Sequence, residues 1–255
     1  MAQLIIALDT PDLESALLLV DRLHQHTRWF KVGLELFSAV GPRVVEAVRS
    51  RDCNVFLDLK FLDIPNTVQS AVRAVSSLGV NMLTVHLSGG RRMVQAALEG
   101  VHQGTPSAVS PPLVVGVTML TSLNQEDLSW MTKPGEKAVP DPGDLAIVLA
   151  EHGRRWGVDG VVCSPLEVSR IKSLTDPLCI CVTPGIRMPS DGTPELAKDD
   201  QSRTLTPAEA VAVGSDYLVV GRPITRASDP ARAAEFFLQS MAATIARRHP
   251  WPNVP

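Results

Sequence analysis

The sequence predicts a single closed (β/α)8 barrel, the TIM-barrel architecture, on three observations. Eight apolar runs of strand length recur along the chain. Amphipathic stretches of helical period fill the intervals between them. The length, 255 residues, is close to the ~250 usual for such a barrel. Strands that alternate with helices imply parallel βαβ units. Two other layouts compete. A prior of ~150 residues per domain would also permit two domains. A doubly wound open sheet would usually carry a glycine-rich turn after its first strand, whereas here that strand runs into "LDT".

The expected strands are LIIAL (4–8), WFKVGL (29–34), VFLDL (55–59), MLTVHL (82–87), LVVGVTM (113–119), GVVCS (160–164), LCICVT (178–183) and YLVVG (217–221). Helical patterns cover 12–23, 42–50, 91–101 and 142–153. In the first of these, Leu13, Ala16, Leu17 and Val20 follow the i, i+3, i+4, i+7 rule for one buried face. The last helix, 229–248, opens with Asp229 as N-cap and Pro230 at the first helical position. The tail 249–255 is expected to fray. Two connections are long: 121–144, part of which is expected to form a short helix, and 184–207, rich in Gly, Pro and charge. Loops of that length in a compact domain tend to be functional or disordered. Both follow strands, so both belong to the C-terminal face, where barrels of this kind keep their active sites.

Composition narrows the function class. Hydrophobic residues make up 45% of the chain, enough for a large core, and the net charge is −3. There is no basic stripe of the kind nucleic-acid binding requires, and the acidic excess is too slight for disorder. Cys53, Cys163, Cys179 and Cys181 show neither a zinc spacing nor a disulfide framework, which leaves core packing. The N-terminus lacks a charged and then apolar leader, and no segment approaches ~18 consecutive apolar residues. A soluble cytoplasmic protein with no membrane partner is the expectation.

The informative residues are charges in strands. Side chains two apart on a strand share a face. Asp58 and Lys60 therefore point together into the barrel, while Leu57 and Leu59 face the helices. Asp9 closes the first strand, and Lys31 lies in the second on the face of Trp29 and Gly33. Three consecutive strands thus supply Asp, Lys, and Asp plus Lys. At the barrel mouth these would form an alternating network of two cations and two anions. Burying them costs several kcal/mol per ion unless they pair well. A lone Asp–Lys pair would read as a fold-stabilising ion pair; four charges at strand ends read as a site.

The string "DLKFLDIPNT" (58–67) resembles the signature of the orotidine 5′-phosphate decarboxylase family, Asp-x-Lys-x-x-Asp-Ile-x-x-Thr. The likeness extends over nearly the whole chain, through "ALDT" (7–10), "KVGLEL" (31–36), "VTMLTS" (117–122), "TPGIR" (183–187), "DDQSR" (199–203) and "DYLVVGRPIT" (216–225). It looks like the shorter, bacterial-type, monofunctional form. One position departs: Leu62 stands where the family commonly has His, a change expected to alter loop packing and no catalytic role.

The resemblance implies decarboxylation of orotidine 5′-phosphate to UMP and carbon dioxide, the last step of de novo pyrimidine nucleotide synthesis, with no metal and no organic cofactor. Lys60 matches the proton donor to C6, and Asp58 the carboxylate beside the departing group. Lys31 and Asp9 match residues that hold the network and the ribose hydroxyls. Asp63 and Thr67 match residues that reach into a neighbouring subunit's site, with Ile64 between them at the substrate, so the active unit would be a homodimer with shared sites. Thr121 and Ser122 match polar contacts near the pyrimidine and ribose, and Pro184 matches a pocket wall. Arg187, Gln201, Gly221 and Arg222 match the phosphate site, and the 184–207 loop would be its lid. Barrels often bind phosphate with the loops after strands 7 and 8, in agreement with the last two.

Other readings stay open. A Mg²⁺-dependent sugar-phosphate decarboxylase or synthase of the same broader group shares Asp-x-Lys-x-x-Asp, but a cation at position 31 would repel the metal. A Schiff-base aldolase needs a neutral Lys60, against which Asp58 and Asp63 would act. A barrel that binds nucleotide without turnover is the non-enzymatic alternative. His86, at the end of the fourth strand, is expected to be a structural hydrogen-bonding residue.

Overall fold

A computed structural model describes residues 2–132, 139–188 and 203–247. Its strands are β1 (Gln3–Ala7), β2 (Trp29–Gly33), β3 (Asn54–Phe61), β4 (Met82–His86), β5 (Leu113–Val117), β6 (Gly160–Val162), β7 (Ile180–Thr183) and β8 (Tyr217–Val220). Each pairs in parallel with the next, and β8 closes on β1 from Gln3↔Tyr217 to Ile6↔Val220. All eight expected strands are present in a closed barrel. Observed β5 and β6 each end two residues before the apolar runs that announced them.

The helices are α1 (Leu13–Leu23), α2 (Leu34–Val40), α3 (Arg43–Arg49), α4 (Pro65–Ser76), α5 (Gly90–Gly104), α6 (Pro142–Trp156), α7 (Val168–Leu174), α8 (Pro207–Val213), α9 (Arg222–Thr225) and α10 (Pro230–Arg247). Asp12 caps α1 by accepting from the Ser15 N–H at 2.8 Å. On its inner face Ala16 and Val20 are buried, with Leu13 and Leu17 packed beside them. Asp229 accepts from the Arg232 N–H at 3.2 Å, the cap expected for α10. α6 continues past 153 to Trp156 and stops at Gly157, whose φ of 102° suits a residue without Cβ. In the first long connection Glu126–Met131 forms a 3₁₀ turn, the short helix expected there. Gln201, residues 189–202 of the second long connection and the tail 249–255 lie outside the described residues.

The core has two compartments. Ile5, Ala7, Phe56, Met82, Val115, Val182 and Val219 fill the inside of the barrel. At its lower end Trp29 and Tyr217 meet edge to face, with ring centroids 5.2 Å apart. The larger compartment, between strands and helices, includes Leu57, with Leu59 packed against it. The period of two thus sorts the strand residues as expected, and the inward positions above the apolar fill are the charged ones. All four cysteines are buried and free. Among the described residues no helix is long and apolar enough to cross a membrane.

Candidate active site

The charged network begins with register. Ala7 pairs with Lys31, and Gly33 with Asp58, so the ends of β1, β2 and β3 come level at the mouth. Lys31 Nζ donates to Asp9 Oδ1 at 3.0 Å and lies 3.7 Å from Asp58 Oδ2. Lys60 Nζ donates to the same Asp58 oxygen at 2.8 Å. The order is Asp9–Lys31–Asp58–Lys60, as the sequence predicts. Gly33 makes room for it: a Cβ there would stand 2.9 Å from Lys31 Nζ.

The end of β3 is irregular. Leu57 pairs with Leu83 but Phe61 with Val85, so four steps on β3 match two on β4. Lys60 takes up the excess with φ of 51°, in the left-handed region that non-glycine residues seldom adopt. Such conformations cost on the order of 1–3 kcal/mol and persist where neighbours enforce them. Thr84 is the neighbour. Its hydroxyl accepts from the Lys60 N–H at 2.8 Å and donates to Asp58 Oδ1 at 3.1 Å. One fully buried side chain therefore sets both the backbone of the lysine and the orientation of its carboxylate partner. Sequence reasoning missed Thr84. The signal was available: it lies two residues past Met82 on the inward face of β4.

Burial opposes ionisation of Asp58. The ammonium groups of Lys31 and Lys60 and the hydrogen bonds from Lys60 and Thr84 outweigh it, holding the carboxyl below its ordinary range. His86 is pushed below the usual imidazole value by burial and by Lys60, against the opposing pull of Asp58. It is thereby favoured as a neutral ring beside the cluster.

The network opens into a cavity of about 230 Å³ at the C-terminal end of the barrel. Asp9, Lys31, Asp58, Lys60, Thr121, Pro184, Arg187, Gly221 and Arg222 all line it. Apolar walls come from Met119 and Val162, which the sequence did not single out. Gly221 lies close against β1: a Cβ there would be 3.3 Å from Asp9 Oδ2 and 3.4 Å from Ala7 Cβ. The site thus joins a charged end, made by β1 to β3, to an arginine-bearing end, made by the segments after β7 and β8. Fixed ions of alternating sign can stabilise a developing charge, and the guanidinium groups suit a bound anion.

Four expected site residues are not in this cavity. Asp63, Ile64, Thr67 and Ser122 are exposed and do not line it. Asp63 accepts from the Ile64 N–H at 2.6 Å and makes no ion pair with Lys60 among the described residues. Within one chain the ion pair of Lys60 is with Asp58. The chain leaves β3 after Phe61 and enters α4 at Pro65, with Asp63 exposed in the turn between them.

Comparison with known proteins follows the same lines. The sequence model of the orotidine 5′-phosphate decarboxylase / HUMPS family matches residues 2–237. A protein of Nitratidesulfovibrio vulgaris (strain DP4) named orotidine 5′-phosphate decarboxylase is 50% identical over 243 residues, covering 95% of this chain and 99% of that one. One of the same name from Lawsonia intracellularis is 43% identical, covering 94% and 100%. The crystal structure of orotidine 5′-phosphate decarboxylase from Lactobacillus acidophilus superposes with a TM-score of 0.79 at 35% identity, covering 94% and 99% of the two chains.

Proposed function

The chain belongs to the orotidine 5′-phosphate decarboxylase / HUMPS family, and from that premise we propose that it converts orotidine 5′-phosphate to UMP and carbon dioxide in pyrimidine nucleotide synthesis. The observation that carries the reading is the Asp9–Lys31–Asp58–Lys60 chain of ions sharing one cavity with Arg187 and Arg222.

The chemistry follows from what such a cavity can supply. The bond between C6 and the carboxylate breaks with its electron pair left on C6, and carbon dioxide leaves neutral. Lys60 stabilises the growing negative charge and then delivers its proton to C6. Asp58 stands beside the substrate carboxylate, and that repulsion is relieved as the group departs. Lys31 and Asp9 hold the array and meet the ribose. Arg187, Gly221 and Arg222 bind the phosphate, joined by Gln201, and Thr121, Ser122 and Pro184 border the pyrimidine and ribose. Binding energy from the phosphate is thereby available to the reaction at C6. The 184–207 loop serves as the cover of the phosphate end.

The exposed positions fit a homodimer in which Asp63, Ile64 and Thr67 complete the neighbouring site. Ile64 is 67% and Leu62 54% exposed, so one apolar patch surrounds Asp63. Mixing inactive Lys60→Ala with inactive Asp63→Asn should regenerate some sites; a mixture that stays inactive would refute the sharing. The enzyme is taken to work in the cytoplasm.

Loss of the ultraviolet absorbance of orotidine 5′-phosphate tests the activity directly. Retention of the rate in excess EDTA separates this reading from the Mg²⁺-dependent sugar-phosphate reaction. Collapse of the rate on chelation would favour the latter.

A further inference from the structure

Glu167 has no part in the site above, and Arg203 entered only as the last residue of "DDQSR". Glu167 follows β6 and is 4% exposed. Its Oε2 accepts from the Ser164 N–H at 3.1 Å. Its Oε1 accepts from Nη1 of Arg203 in an ion pair. Nη2 of Arg203 donates to the Leu120 carbonyl at 3.2 Å. One ion pair therefore joins the segment after β5, the segment after β6 and the chain that returns to the barrel before α8.

That returning chain is tied a second time. Leu205 forms a parallel bridge with Ile186. The Arg187 N–H donates to the Leu205 carbonyl at 3.0 Å, and the Leu205 N–H donates to the Gly185 carbonyl at 3.2 Å. Arg203 is thus linked to Leu120 by its side chain and to Arg187 through the bridge at Leu205. Leu120 and Thr121 line one part of the cavity, and Arg187 another.

We propose that Glu167 and Arg203 are positioning residues, a clasp that holds the Leu120–Thr121 wall and the Arg187 wall in the register a nucleotide needs to meet both at once. The inference rests on the proposed function. A largely buried pair is a poor device for stability alone, because two apolar side chains of similar volume often do as well or better. Burial pushes the Glu167 carboxyl up to about 7 against the pull of Arg203 and the Ser164 N–H, with Asp141 adding to the rise. That desolvation works against the pair as a source of stability and fits a role in geometry.

The test compares two substrates of different reach. Orotidine 5′-phosphate spans both walls, whereas the nucleoside orotidine lacks the phosphate and engages the base side alone. The variants are Glu167→Gln, Arg203→Met and the double Glu167→Leu/Arg203→Met, which leaves no stranded charge. The readout is the ratio of kcat/KM for the nucleotide to that for the nucleoside. This ratio does not depend on the folded fraction. It should fall roughly 10- to 100-fold in each variant, as expected for a small misplacement of a binding group. The double variant should fall no further than the worse single. An unchanged ratio, with both substrates losing rate in parallel, would make the pair merely structural and overturn the clasp. Additive losses in the double variant would also overturn it, since the two residues would then act separately. A wild-type protein that leaves orotidine 5′-phosphate intact would instead remove the proposed function, and the inference with it.

Discussion

Replacing Lys60 by alanine should abolish turnover while leaving the barrel folded. The ammonium sits 2.8 Å from Asp58 at the mouth, and its side chain is 30% exposed. Two unit charges 4 Å apart interact by about 4 kcal/mol at an effective dielectric of 20. At 1.36 kcal/mol per decade that is about a thousandfold in rate. Loss of a positioned proton donor adds ~10²–10⁴. Together the fall in kcat should be about 10⁵-fold or more. Folding should survive, because Asp58 keeps Lys31 at 3.7 Å and the Thr84 hydroxyl at 3.1 Å. The assay is the decay of orotidine 5′-phosphate absorbance at saturating substrate, with a thermal melt run alongside. A folded variant that keeps a rate within about a hundredfold of wild type would remove Lys60 as the proton donor.

Lys60→Gly should be as inactive as Lys60→Ala yet more stable than it by about 1 kcal/mol, since glycine adopts a φ of 51° without the Cβ penalty; equal urea midpoints would contradict the strain. Thr84→Val removes the acceptor for the part-buried Lys60 N–H and the buried donor to Asp58, and should cost about 1–3 kcal/mol in denaturant melts together with a lower kcat. A variant as stable and active as wild type would show that the bulge holds without that hydroxyl. Asp58 has a folded pKa below its ordinary value of 3.8. Its ionised form therefore contributes stability that is present above that value and is lost as pH falls through the folded pKa. Asp58→Asn should show a shallower loss of stability on acidification, and identical slopes for the two proteins would refute the linkage.

The alternation of strands and helices was legible because each element announces itself within its own residues. A strand's period of two placed Asp58 and Lys60 inward and Leu57 and Leu59 outward before any partner strand was known, and α10 carried its own cap in Asp229. The same local logic placed Lys31 beside Trp29 and Gly33. It stopped where the chain departs from regular geometry or where partners come from distant segments. Nothing local to "LKF" foretells the left-handed turn at Lys60, which depends on the Thr84 hydroxyl one strand away. Asp63 reads as one more member of the charged string, and only the structure shows it exposed and outside the cavity that Lys60 lines. Nothing local to Glu167 or Arg203 in the sequence foretells that they pair. Closure of the barrel brings the segments after β5, β6 and β7 together and excludes water from between those two side chains. Periodicity is a property of neighbours in the chain, so the sequence alone determined which residues face inward. Which of them meet, and with what charge, was decided by closure, which sets the distances and the exclusion of solvent on which electrostatic strength depends.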